Sequence, residues 1–203
     1  MKRQRPSRKT AVSGGASRAA GKLRIIGGDY RRRQLPVLDH PGLRPTPDRV
    51  RETLFNWLGP SLLGKRALDL FAGSGALGIE ALSRGALEAT FVELTPRVAA
   101  LIEQNLATLG ADNARVVTRD ANAFLAGTPS AFDLVFLDPP FKKGLAAPCC
   151  EALERGWLAP EAFIYLETER ELDARVPAHW QLYRETSAGE TSARLYRRSV
   201  LAQ

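Results

Sequence analysis

Asp138, Pro139, Pro140 and Phe141 close an apolar run in "LVFLDPPFKKG", and their types suit one piece of chemistry. Asp138 offers a carboxylate. Pro139 is fixed in φ and precedes a second proline, so its carbonyl is aimed by a stiff, extended segment. Two rigid acceptors can hold both N–H groups of an exocyclic amine on a nucleobase, and so point a poorly nucleophilic nitrogen at an electrophilic carbon. Phe141 can stack on the base plane, a contact worth about 1–3 kcal/mol in nucleic-acid sites. As a methyl group arrives, the nitrogen gains positive charge that Asp138 stabilises, and a carboxylate of ordinary pKa suffices for this. Lys142 and Lys143 follow directly, either as clamps for phosphates beside a flipped-out nucleotide or as solvated surface lysines. A bare Asp-Pro-Pro also occurs as a simple turn that ends a strand.

A second group lies upstream. "ALDLFAGSGALGIEAL" places Gly73, Gly75 and Gly78 in a literal G-x-G-x-x-G, and Glu93 lies 20 residues after Gly73, where an acid that binds a ribose belongs. A dinucleotide-binding oxidoreductase is therefore one reading. Asp69 just before the loop and Asp120 in "VVTRDANAF" argue for another. Three strand ends would each deliver a carboxylate to one edge, which repels a pyrophosphate and suits a cationic, hydroxyl-rich ligand. S-adenosylmethionine has a sulfonium, an amino group, a ribose diol and an adenine. Purely structural roles remain open for the acids: Asp69 as a cap on a neighbouring helix, Asp120 as the opening of a turn before residues 121–125.

These residues need a scaffold that brings strand ends together. Strands are expected at 67–71, 89–93, 114–118, 134–138 and 163–167, with helices around 76–84, 96–109 and 146–156. That alternation implies a largely parallel sheet with helices on both faces. Two strand-like runs around Ala188-Gly189-Glu190 add an antiparallel hairpin, for seven strands in all. In a doubly wound sheet the first and fourth strands are neighbours, so the glycine loop and Asp138 should share one cleft. Before this core, "KLRIIGGDYRRRQLPV" reads as a hairpin turning at Gly27-Gly28-Asp29 and carrying Arg24, Arg31, Arg32 and Arg33, basic side chains able to grip phosphates. "RPTPDRVRETLFNWLG" reads as a helix with Thr46 as N-cap, Pro47 at the first helical position and Gly59 after the last turn.

Composition narrows the partners. Residues 1–66 hold 16 Lys/Arg against 4 Asp/Glu, whereas residues 67–203 hold 13 against 18, so the net charge of +7 arises entirely in the N-terminal third. This is the footprint of a polyanion-binding protein. Residues 1–21 lack a hydrophobic period and read as a disordered basic tail, with a transit peptide as an alternative. One domain follows at 22–203, comprising a hairpin extension (22–46) and a core (47–203). No apolar stretch is long enough to span a membrane. Adjacent Cys149 and Cys150 cannot pair without strain and point to a reducing compartment. The two histidines, His40 and His179, belong to no spaced Cys/His cluster, so no metal site is expected.

The segments "RIIGG", "GLRPTPDRVRETLFNWL", "LDLFAGSGALGIEALSRGA" and "DPPF", in this order and spacing, closely resemble the RsmD family, bacterial methyltransferases acting on the N2 amine of a guanine in 16S ribosomal RNA. The resemblance spans residues 23–200. It implies a class I, Rossmann-like methyltransferase that uses S-adenosylmethionine. The implied target is guanine 966 of 16S rRNA in a 30S subunit or assembly intermediate. A cytoplasmic monomer is the expected form. Asp69, Phe71, Gly73 and Gly75 would border the methionine part of the cofactor, Glu93 would bind the ribose, and Asp120 with Ala121 would contact adenine. Arg44 and Thr46 would help close that pocket, while Asp138, Pro139 and Phe141 would hold the guanine. Two features depart from the family pattern: the longer basic tail, and "ELTPR", which lacks a second acid after the second strand of the core. DNA adenine-N6 or cytosine-N4 methylation is the related alternative, because the same tetrapeptide serves any flat amine. A non-catalytic RNA-binding assembly factor is a more distant one.

Overall fold

Residues 19–43 and 46–200 are described by the computed structural model. The chain begins with an antiparallel pair, β1 (Ala19–Arg24) and β2 (Gln34–Leu38), followed by α1 (Asp48–Leu58). The core then alternates: β3 (Arg66–Asp69), α2 (Ala76–Ser83), β4 (Glu88–Glu93), α3 (Pro96–Leu109), β5 (Ala114–Thr118), α4 (Ala121–Leu125), β6 (Phe132–Leu137), α5 (Ala146–Leu153) and β7 (Leu158–Glu169). Strands β8 (Trp180–Ala188) and β9 (Thr191–Ser199) finish the chain. The seven core strands form one sheet in the order β5-β4-β3-β6-β7-β9-β8. The first five are parallel; β9 runs antiparallel to both β7 and β8.

The chain winds from β3 outward to β5 and then returns to the other side of β3. This reversal leaves a crevice at the carboxyl ends of β3 and β6. The expected adjacency holds, with Ala67 paired to Leu134 and Asp69 to Phe136. Side-chain alternation sorts the core into two layers. Leu54 and Phe55 of α1, Leu77 of α2 and Ile102 of α3 pack on Ala67, Phe91, Phe136 and Tyr165. On the other face, Leu125 of α4 and Cys149, Cys150 and Leu153 of α5 cover Leu68, Val135, Ile164 and Leu166. The two cysteines are free and buried, and burial first of all pushes their thiols up to about 11 and about 12, far from the reactive thiolate range. No described helix is long and apolar enough to cross a membrane.

The structure differs from the sequence reading in several places. The hairpin does not turn tightly at Gly27-Gly28-Asp29; residues 25–33 form a longer connection, closed by Ile25 N–H to Arg33 O (3.0 Å) and Arg32 N–H to Ile25 O (2.9 Å). Its shape is set from outside. Glu80 of α2 accepts from the Ile26 and Gly27 N–H groups at 3.0 and 2.8 Å, while the Ser83 hydroxyl donates to Gly27 O and accepts from Tyr30 N–H. Gly28 has φ 74°, and a Cβ there would lie 1.7 Å from Ser83 O, so only glycine allows this contact.

Glu80 is fully buried and also meets Arg51 Nη1 at 3.4 Å and Arg84 Nε at 3.0 Å. Arg51, equally inaccessible, donates to Arg24 O and Thr46 O and pairs with Asp48. Hairpin, α1 and α2 are thus joined through one carboxylate. Thr46 is not the N-cap. Pro47 occupies that position, Thr46 is buried one residue earlier, and its carbonyl is turned to Arg51 Nε. Gly59 ends the helix as expected, at φ 95°.

Candidate active site

The strand-to-helix turn after β3 is stitched to both neighbouring strands. Leu70 N–H donates to Phe136 O of β6 and Ala72 N–H to Val92 O of β4. Gly73 (φ 52°) and Gly75 (φ 77°) take left-handed conformations, and Gly75 serves as N-cap of α2. Gly78 has a different reason: a Cβ there would lie 2.3 Å from the Phe91 ring, so it sets the close approach of α2 to β4.

Each strand-end acid has a structural task. Asp69 accepts the Gly78 N–H at 3.0 Å, capping α2 from the preceding strand. Glu93 accepts Gly73 N–H at 2.9 Å and Thr95 N–H at 2.8 Å, tying the glycine loop to the loop after β4. Asp120 caps the five-residue α4 through Ala123 N–H at 3.0 Å, with Ala121 buried behind it. A carboxylate has about four lone-pair sites, so these bonds leave acceptor capacity on Glu93 and Asp120.

Asp138 lies one residue past β6. The last ladder pair, Leu137 with Leu166, sets it beside Glu167 of β7. Burial chiefly, then Glu167 and Asp69, hold the Asp138 carboxyl well above the usual range, which the sequence reading did not require. Glu167 is raised too, mainly by burial, with a counteracting hydrogen bond from the Tyr165 hydroxyl at 2.8 Å. Pro139 is buried, Phe141 remains 37% exposed, and Lys142 and Lys143 are exposed. The loop is latched to β7: Lys142, at φ 59°, donates its N–H to the Glu169 carboxylate.

Asp69 is pushed up to about 7 from 3.8, primarily by burial, with Glu93 adding and the Gly78 N–H opposing. The unfolded chain ionises this group first. Its stabilising contribution is therefore complete below pH 3.8, falls as the pH rises, and is gone above about 7. The difference between those pKa values is worth on the order of 4 kcal/mol. Urea unfolding of wild type and Asp69→Asn at pH 5 and pH 8 should show the variant gaining relative stability at the higher pH. A difference independent of pH would contradict this account.

An edge where Asp69 is repelled by Glu93 and in turn repels Asp138, with glycines that admit close backbone approach and free acceptors on Glu93, fits a cation bearing a ribose diol, and S-adenosylmethionine is such a group. The same edge would repel a pyrophosphate. Among the described residues no group of three or more His, Cys, Asp or Glu is arranged to hold a metal ion.

The family described as "Conserved hypothetical protein 95" matches residues 23–197. "Ribosomal RNA small subunit methyltransferase D" of Escherichia coli K12 is 55% identical over 183 residues, 89% of this chain and 92% of that protein. The chain belongs to the RsmD family. The like-named protein of Haemophilus influenzae is 48% identical over 88% of this chain and 95% of its own. The solved structure of Escherichia coli yhhF superposes with TM-score 0.81 at 54% identity, covering 88% of this chain and 99% of that one. A protein from a Thermus species gives 0.72 at 32%, covering 88% and 99%.

In this member of the RsmD family the expected site residues divide into groups. Asp69, Phe71, Gly73, Gly75, Glu93, Asp138, Pro139 and Phe141 lie at or just beyond the carboxyl ends of β3, β4 and β6, and Asp120 with Ala121 follows β5. Arg44 lies outside the described residues, while its neighbour Leu43 comes within reach of Gly73. The hairpin arginines are elsewhere. Arg33 donates to Thr108 O near the end of α3, and the 25–33 connection rests on the end of α2, so Arg31–Arg33 occupy the amino edge of the sheet. Arg24 is engaged with Asp48 at 3.0 Å. Glu167, Tyr165 and Glu169 were missed by the sequence reading. Their signal was "YLETE", in which polar groups recur at every second residue of a strand whose other face is apolar.

Proposed function

We propose that this protein transfers a methyl group from S-adenosylmethionine to the N2 amine of a guanine in small-subunit ribosomal RNA. Guanine 966 is the proposed target, in a 30S particle or its precursor, and the enzyme works as a cytoplasmic monomer. One observation carries this reading: Asp138 and Pro139 follow the strand directly beside the one that ends in the glycine loop. An amine held by the first pair faces whatever the second motif binds. The names of the close relatives support the substrate class.

The bound cofactor would supply an electrophilic methyl carbon on a sulfonium. Asp69 and the glycine-loop backbone would border its methionine part, Glu93 would hold the ribose, and Asp120 and Ala121 would lie at the adenine. Asp138 and the Pro139 carbonyl would each accept one N–H of the amine, with Phe141 stacked on the base. Because Asp138 sits well above the usual carboxylate range, it is a better proton acceptor than a solvated aspartate once the nitrogen becomes cationic. Most of the acceleration is positional.

The decisive assay offers labelled cofactor with naked 16S rRNA, 30S particles from a strain lacking the enzyme, and DNA. Label recovered as N2-methylguanosine from the rRNA or particles is expected; label in DNA adenine or cytosine would overturn the proposal. Arg31 and Arg32 are exposed at the far edge of the sheet and serve as remote phosphate contacts. Replacing both with alanine should reduce the slope of log affinity against log salt by about 1–2, without altering cofactor affinity. An unchanged slope would remove them from the RNA interface.

A further inference from the structure

Resting on that proposed function, we infer that Glu167 is the residue that selects guanine over other amine-bearing bases, by accepting the N1–H of the target base. The Asp138–Pro139 acceptor pair grips an exocyclic amine, and adenine, cytosine and guanine each present one. Their neighbouring ring atoms differ. The guanine amine has N1–H, a donor, on one side and N3 on the other; the adenine and cytosine amines have a ring nitrogen with a lone pair (N1 and N3, respectively) on one side and a carbon on the other, so only guanine offers a ring donor beside its amine. An acceptor adjacent to Asp138 therefore tells guanine from the other two, which the tetrapeptide alone does not.

The structure provides that acceptor. Parallel pairing ends with Leu137 against Leu166, so Asp138 and Glu167 leave their strands side by side. The alternation that puts Phe136 and Tyr165 in one core layer directs the next alternate residues, Asp138 and Glu167, to the same face of the sheet. Glu167 is fixed by the Tyr165 hydroxyl, which donates to Oε2 at 2.8 Å. Among the described residues no other donor reaches its carboxylate, and none reaches that of Asp138, so each has an oxygen to offer. Facing a ring lone pair, Glu167 would oppose acceptor to acceptor in a partly buried site, the arrangement that rejects wrong substrates most strongly.

The test uses 2-aminopurine, which carries the same amine as guanine but a lone pair at N1. Small-subunit particles would be reconstituted with 16S rRNA bearing guanine or 2-aminopurine at the methylated position, and kcat/KM measured for the full-length chain. Wild type should favour guanine by roughly 100-fold or more. Glu167→Gln, whose amide can also donate to N1, should narrow the preference to within about tenfold, partly by raising transfer to 2-aminopurine. Tyr165→Phe, which removes the hydrogen bond that holds the Glu167 carboxylate in place, should shift it in the same direction by less. The inference is overturned if Glu167→Gln keeps the wild-type ratio. Equal loss on both substrates, with S-adenosylhomocysteine binding intact, also overturns it, because a general role in the reaction would act on the two alike. Wild type failing on guanine particles would instead defeat the proposed function.

Discussion

Replacing Asp138 with alanine should lower kcat for methyl transfer by roughly a thousandfold or more, while leaving the Kd of S-adenosylhomocysteine within about twofold. Asp138 accepts no hydrogen bond from any described residue, so removing it leaves no donor of the fold unsatisfied. Its carboxyl is held high by burial and by the charges of Glu167 and Asp69, which means the folded protein carries it at a cost. The alanine variant should therefore be at least as stable as wild type in urea. Lost turnover, retained cofactor affinity and undiminished stability together separate a group that acts on the reacting nitrogen from one that merely ends a strand. A kcat within tenfold of wild type would remove Asp138 from the chemistry.

Replacing Glu80 with alanine should destabilise the fold by about 3–5 kcal/mol, with the largest effect on stability of any single change considered. Arg51 and Glu80 are both inaccessible, at 1% and 0% exposure, and their separation of 3.4 Å means that each neutralises the other. Deleting the carboxylate leaves a buried guanidinium with only carbonyl partners and Asp48, and strands the Ile26 and Gly27 N–H groups. Against a typical total of about 5–15 kcal/mol, that is a large fraction. The double variant Glu80→Leu, Arg51→Met should recover part of the loss, because a matched apolar pair escapes the desolvation penalty. Urea midpoints for the three proteins provide the check; a loss below about 1 kcal/mol for Glu80→Ala would show that the hairpin does not depend on this carboxylate.

Local pattern and long-range pairing divide what the sequence could disclose. The glycine loop, Glu93 at the end of β4, the span of β5 and the hairpin around Gly189 were legible because each is written in consecutive residues. Asp69 and Asp120 were legible as strand-end acids, but their capping bonds to Gly78 and Ala123 emerge only when the loops close. Thr46 was misread because Ser/Thr before proline resembles an N-cap, whereas the buried Arg51 claims its carbonyl and moves the helix start by one residue. The tight turn at Gly27-Gly28 was misread because the connection follows the surface of α2, more than fifty residues away in sequence. "YLETE" marks Glu167 as a polar position, but its role is hidden for the same reason. Its importance depends on the register between β6 and β7, and no local signal states that Leu137 lies opposite Leu166.

The hairpin lies lengthwise along the domain. Pro36 O receives Asn105 of α3, Arg33 reaches Thr108 at one end, and at the other Leu38 lines one small cavity together with Val98 and Gly73. The five residues of β2 thus run alongside α3 as about 17 Å of rigid strand. On the proposed function this strand acts as a ruler. It holds the exposed arginines that precede it at a fixed separation from the glycine loop, so the distance between a phosphate gripped at one end and the reacting centre at the other would be set by stiff backbone and not by a flexible linker.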